Sequence, residues 1–212
     1  MTRLALPAGL LLLGLIWFGP LLGAWRESFS AHMVAHMGVI AIAAPLIAIG
    51  LAERFRPLRP MPAWLPILVS LFELVIVWGW HAPAMRAAAE ASVAVTVIEQ
   101  ALFLSVGLLL WWTSFAAPRD RSGTAAGAFA LLLTSIHMTL LGALLALSPR
   151  PLFGAGDVIC FGTVLAAEDD QQLGGVIMLL VGAVVYLAGG LALVARLLDQ
   201  RETGTPGRPV SR

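Results

Sequence analysis

Runs of about twenty apolar residues recur along this chain, separated by short stretches that hold most of its charge. About twenty residues of helix span the roughly 30 Å hydrocarbon core of a bilayer. Backbone groups in lipid find no water, so such a run must satisfy its own hydrogen bonds as a helix. Composition agrees, since 12% of the 212 residues are charged, against about 25% in a typical soluble domain. The expected fold class is an all-α integral membrane bundle of six transmembrane helices. They are placed at about 4–22, 32–51, 64–81, 93–114, 124–147 and 173–195, in one domain over 1–198. The polar tail 199–212 is expected to be disordered. The first run, after Arg3, has an alternative reading as a signal peptide, because Leu22-Gly23-Ala24 suits cleavage. It is longer than the usual h-region of about 7–15 residues, which favours a retained helix.

Six helices put both termini on one side. That side carries Arg3, Arg54, Arg56, Arg59, Arg119, Arg121, Arg196, Arg201, Arg208 and Arg212, and the other only Arg26, Arg86 and Arg150. The asymmetry predicts cytoplasmic termini in a bacterial inner membrane. The lone Cys160 excludes an internal disulfide. No basic cluster suggests nucleic acid, and no Ser-centred elbow, phosphate loop or His-Glu-x-x-His motif suggests an enzyme.

The chemistry concentrates in Ser30-Ala31-His32-Met33-Val34-Ala35-His36-Met37. Residues four apart share a helix face, so His32 and His36 point the same way, one turn apart. Met33 and Met37 form an adjacent stripe. Imidazole with thioether suits copper, the sulfur favouring Cu(I). Gap-filling methionines and interfacial histidines are the structural alternative. Ser30 is the expected N-cap, and Pro45 the expected kink.

Helical rise puts His36 about 6 Å below the outer surface, Glu99 about 9 Å, Glu73 about 12 Å and His137 about 15 Å. His32 and His81 stand at the outer ends of their helices, and Asp169 and Asp170 at the mouth of the sixth. The inner half holds no ionisable residue. Ionisable groups in a bilayer are costly and mark functional sites by default, so a cluster open to the periplasm or exterior is the economical reading. Glu73 and Glu99 could instead be structural, each held by a neighbouring helix.

Several blocks together resemble a known family. They are Phe29-Ser30-Ala31-His32-Met33 with His36, Trp80-His81-Ala82-Pro83, the Glu99 segment running to Trp111-Trp112, His137-Met138, and Asp170-Gln171-Gln172-Leu173-Gly174-Gly175-Val176-Ile177-Met178. The sequence resembles the multi-helix CtaG family of cytochrome c oxidase assembly factors, over roughly 25–186. Many relatives carry His after the glutamate of the fourth helix, where this chain has Gln100. The resemblance implies a non-enzymatic membrane protein that helps supply copper to a haem–copper oxidase subunit.

On that reading His32, His36, His81 and His137 are metal ligands, and Met33, Met37 and Met138 are auxiliary ligands or relays. Asp170 would orient an imidazole through its other ring nitrogen, and Glu99 and Glu73 would balance charge. Asp169 and Gln171 belong to a lid over the cluster. His137 lies deep for one site shared with His32, so two sites remain open, as does homo-oligomerisation. Two alternatives stand beside it. One is a b-type haem protein using His32 and His81; the other is an ion or proton transporter using Glu73, Glu99 and His137.

Overall fold

A computed structural model describes residues 2–55, 61–116, 121–154, 156–160, 162 and 163–203. Arg56, Arg59, Arg119, Arg208 and Arg212, and the tail beyond Thr203, lie outside the described residues. A 3-10 turn, Thr2–Leu4, leads into α1, Ala5–Phe18. Then follow α2 (Phe29–Met37), a π-helical stretch (Gly38–Ala43) and α3 (Ala44–Arg54), which run on as one rod. Next come α4 (Leu65–Trp80), α5 (Pro83–Ala91), α6 (Val93–Ala116) and α7 (Arg121–Ala146). A hairpin of β1 (Asp157–Cys160) and β2 (Thr163–Ala166) leads into α8, Ala167–Thr203.

Among the described residues, four helical stretches are long and apolar enough to cross a membrane: Phe29–Ala52, Val93–Phe115, Arg121–Ala146 and Ala167–Asp199. α4 and α5 are long and apolar enough only when taken together, as a pair bent by 70° that is either one broken span or a re-entrant loop. α1 has 14 residues, about 21 Å of helix, and stops at Gly19-Pro20 where the sequence suggested a run to residue 22. It packs antiparallel to α3, with Gly9 against Ile47 and Gly50 against Leu6.

Three local features depart from expectation. First, α2 begins at Phe29, and its N-cap is Ser28 instead of Ser30, the Ser28 hydroxyl accepting from the Ala31 N–H at 3.2 Å. Second, the Trp80-His81-Ala82-Pro83 corner starts a new helix where a loop was expected. Proline drives the preceding residue extended, as Ala82 is at φ −65°, ψ 135°, and Pro83 then opens α5. Third, the stretch expected as a loop over 148–172 contains the β1–β2 hairpin, Asp157 pairing with Ala166 and Cys160 with Thr163. α8 starts at Ala167, six residues before the expected 173, and runs past 195 to Thr203.

The π stretch follows from Pro45. Proline has no N–H, so the ladder around it must re-register. The Ala44 N–H accordingly bonds Val39 O, five residues back. In the same register the Ile40 carbonyl would look to residue 45, which has no hydrogen to give. Trp111 of α6 supplies one, its indole N–H donating to Ile40 O at 3.2 Å. Gly107, one turn earlier on α6, allows this approach: a Cβ there would lie 2.8 Å from Ile40 Cγ1.

Trp111→Phe keeps the ring stack on Tyr186 (5.3 Å, 21°) but orphans the Ile40 carbonyl. An unsatisfied buried acceptor costs about 1–3 kcal/mol, so the variant should melt at lower temperature in detergent than Trp111→His, whose ring N–H can still donate. Equal melting of parent and Trp111→Phe would show that the bond contributes nothing.

Candidate metal centre

Three histidines from two elements meet at one end of the bundle. His32 and His36 project from α2, and His81 caps the C-terminus of α4. Ring centroids are 6.3 Å apart for His32–His36, 6.0 Å for His32–His81 and 5.2 Å for His36–His81. All three are buried, His36 completely. Phe103 of α6 closes one side at 4.1 Å from the His36 ring, and Phe29 lies 6.2 Å from His32.

The hydrogen bonds assign two of the tautomers. His81 Nδ1 lies 2.7 Å from Val77 O, a carbonyl that can only accept, so the proton sits on Nδ1 and Nε2 keeps its lone pair. This is the arrangement that orients a ligating imidazole. His32 Nδ1 lies 3.0 Å from Arg86 Nη1, which can only donate, so His32 Nδ1 accepts and its proton belongs on Nε2. That Nε2 faces Glu99 Oε1 at 3.7 Å, beyond hydrogen-bond length. Neither nitrogen of His36 and not the Nε2 of His81 has a hydrogen-bond partner.

Arg86, on α5, is the residue that sequence reasoning missed. It is buried and spans three groups: His32 Nδ1, the Arg26 carbonyl at 2.9 Å and Glu90 Oε1 at 3.0 Å. The sequence counted it only as one arginine of the sparsely charged side. Its i,i+4 spacing from Glu90, just after a His-Ala-Pro corner, was the available signal.

The other expected site residues lie elsewhere. Asp170 does not touch an imidazole. It clamps the start of α2, accepting from the Phe29 N–H at 2.6 Å, the Ser30 N–H at 3.1 Å, the Ser28 hydroxyl at 2.8 Å and the Ser30 hydroxyl. The Ser30 hydroxyl also meets Cys160 Sγ of the hairpin at 3.2 Å. Gln171 bridges Leu145 O, to which it donates, and the Leu152 N–H, from which it accepts. Asp169 is exposed. Met33 packs on Gly174, and Met37 and Met138 converge on Gly182, so all three face α8.

Glu73 belongs to a separate buried chain. Its carboxylate accepts from the Thr134 and Tyr186 hydroxyls, each at 3.0 Å, and Thr134 in turn meets Ser70 at 2.8 Å. His137, on α7, is buried with both nitrogens unpartnered and shares no ring contact or hydrogen bond with the other three histidines. Among the described residues, no group of three His, Cys, Asp or Glu side chains is arranged to hold a metal ion as it stands. The His36–His81 pair fits an ion best. Two imidazoles on one ion at about 2.0–2.1 Å from each nitrogen have centroids about 5–6 Å apart.

A family model described as cytochrome c oxidase caa3 assembly factor (Caa3_CtaG) matches residues 3–200. The chain belongs to that family. No curated protein and no solved structure matches it. In this assembly factor the histidine cluster, the Asp170 clamp and the methionine seam all fall within the matched span.

The clamp sets where His32 and His36 stand, because it fixes the first turn of the helix that carries them. Asp170→Ala orphans two backbone donors, while the Ser28 and Ser30 hydroxyls keep each other at 3.1 Å, and at about 1–3 kcal/mol for each buried group left unmade it should lower the melting temperature in detergent. Asp170→Asn, which keeps one acceptor oxygen, should fall between. An Asp170→Ala protein that melts like the parent would rule the clamp out as a stabilising element.

Proposed function

We propose that this membrane protein holds Cu(I) at the His36–His81 pair and passes it to a subunit of a haem–copper oxidase during assembly. One observation carries the reading: imidazoles 5.2 Å apart, buried, with the His81 Nε2 and both His36 nitrogens free of hydrogen bonds. Buried polar atoms are nearly always paired, and neutral imidazole suits copper. Copper is the cargo here, and no catalytic step is required of the protein. His32 stands 6.0–6.3 Å from the other two rings, but Arg86 occupies its Nδ1 lone pair and its proton sits on Nε2, so it lines the site and would become a third ligand only on losing that proton. Glu99, beside His32, supplies negative charge next to a bound cation.

The reading includes the topology drawn from the arginine distribution. α1 joins the longer helices as a sixth membrane segment, the termini are cytoplasmic, and the cluster faces the periplasm or exterior. The methionines enter only as packing against α8. His137, apart from the cluster, is held in reserve as a second, deeper site.

Packing argues against the haem alternative. Phe103 stands 6.4 Å from both His32 and His81, and Phe29 6.2 and 6.4 Å from the same two rings. These rings line both imidazoles, and His32, its Nδ1 taken by Arg86 and its proton on Nε2, has no free lone pair for an iron. The transporter alternative has less support, because Glu73 shares no hydrogen bond with Glu99 or His137, whose side chains make no well-formed hydrogen bond.

Elemental analysis of detergent-purified protein tests the proposal. Parent protein loaded with Cu(I) should retain it, and His36→Ala/His81→Ala should lose most of it, while Met33→Leu/Met37→Leu should bind as the parent does. In cells the histidine variant should leave the oxidase copper-deficient. Undiminished copper in the histidine variant would sink the idea, and iron with a Soret band would redirect it to haem.

A further inference from the structure

A second site lies on the other face of α6. Between the end of α1, the turn that follows it and the first two turns of α6 is a cavity of about 560 Å³. That is the size of small-molecule pockets in general. Its walls are largely apolar, and its mouth is framed by Phe18 (90% exposed) and Val97 (62% exposed). Both side chains are turned out of the bundle, and on the six-segment topology proposed above they face lipid.

The polar groups lining it are unusual in kind. Trp17 Nε1 and Arg26 Nε are buried donors with no hydrogen-bond partner, and the Gln100 amide, which lies near the Glu99 carboxylate, makes no well-formed hydrogen bond through Nε2 or Oε1. Gln100 is 3% exposed. Arg26 is held in place by bonds from its Nη2 to Ala89 O at 2.8 Å and Thr96 Oγ1 at 2.9 Å. It has no carboxylate partner among the described residues, since Glu90 is taken by Arg86. A fixed cation and two free N–H donors in an apolar pocket call for a ligand that is anionic and rich in acceptors.

Their order along α6 narrows the class. Thr96, where Arg26 is anchored, and Gln100 are one turn apart, which sets the amide about 6 Å further into the helix bundle than the guanidinium. We propose that this cavity binds one phospholipid, with the phosphate at Arg26, an ester carbonyl at the Gln100 and Trp17 N–H groups, and an acyl chain along Val97, Leu22 and Phe18. A buried cation between membrane helices is a general basis for lipid head-group recognition. The site shares Arg26 and α6 with the histidine cluster but depends on no metal.

Native mass spectrometry of the full chain, delipidated in detergent and titrated with dioleoyl phosphatidylglycerol, tests this. A neutral short-chain benzoquinone, which offers carbonyl acceptors without charge, serves as the comparison probe. The parent should hold one phosphatidylglycerol per chain in preference to the quinone. Val97→Trp, which fills the cavity and leaves every hydrogen bond in place, should bind about tenfold more weakly, equivalent to about 1.4 kcal/mol. Arg26→Gln should weaken phosphatidylglycerol and leave quinone unchanged; should it fail to fold, Val97→Trp alone decides. Equal binding to parent and Val97→Trp would overturn the site, and preference for the quinone would overturn the anionic head group.

Discussion

The Asp170 carboxylate at the start of α2 is the contact on which the arrangement of this bundle depends. A helix N-terminus leaves backbone N–H groups without intrahelical partners, and in a buried position these must be met by something other than water. Here α8 meets them with Asp170, which accepts from the Phe29 and Ser30 N–H groups and from two serine hydroxyls. A carboxylate there also complements the positive end of the helix dipole. Because α8 is in turn locked to α7 where Gly142 and Gly175 let the two backbones touch, the clamp refers the position of His32 and His36 to the most closely packed pair of helices. Phe29 stacked on Phe153 at 4.3 Å and Ser30 against Cys160 seal the same end.

The histidines are then held from the far side by a bent helix pair. Pro83 ends α4 just after His81, and the turn leaves the His81 Nδ1–H on its own helix's carbonyl with Nε2 aimed away. α5, folded back over the corner, brings Arg86 to His32. Burying a guanidinium is costly unless it is paired and its donors are met, and Arg86 hydrogen-bonds an imidazole nitrogen and a backbone carbonyl and ion-pairs with the Glu90 carboxylate. The polar end of the bundle is thus braced at Arg86 and Asp170 around unpaired imidazole nitrogens and the Glu99 carboxylate, whose oxygens make no well-formed hydrogen bond. Further along, Pro45 forces a π stretch, and Trp111 compensates it from α6. The register of α2 against α6, and with it the seating of Phe103 beside His36, follows from that bond.

Glu73 shows the contrasting case. It is as buried as the histidine cluster, yet Tyr186 and Thr134 satisfy it, and the network ties α4 to α7 and α8. Two buried polar assemblies coexist in one apolar bundle, one closed by its own hydroxyls and the other with nitrogens to spare. Of these two, the second has ligand chemistry left over. The methionine stripe follows the same logic, since thioethers that meet glycines on α8 fill space between helices.

Length and apolar content of each run determined the all-helical membrane class and the extents of α4, α6 and α7 to within three residues, because in lipid a backbone can satisfy itself in no other way; the polar start and end of α8 carried no such signal. Spacing of four put His32 and His36 on one face, and Pro83 marked a break after His81; both are local properties that hold whatever the helix packs against. Partners across helices were not legible. Asp170 was expected beside an imidazole and lies on Ser28 and Ser30; Arg86 was counted only among the three arginines of the sparsely charged side and lies buried on His32. His137 shares the His-Met pattern of α2 but faces a different interface, and Met33 and Met37 turn from the histidines toward α8. Periodicity fixes which side chains share a face, but which neighbour that face meets depends on helix rotation and crossing. Those are set by glycine contacts, a proline corner and a single buried carboxylate, contacts between residues as much as 142 positions apart, and so by tertiary structure alone.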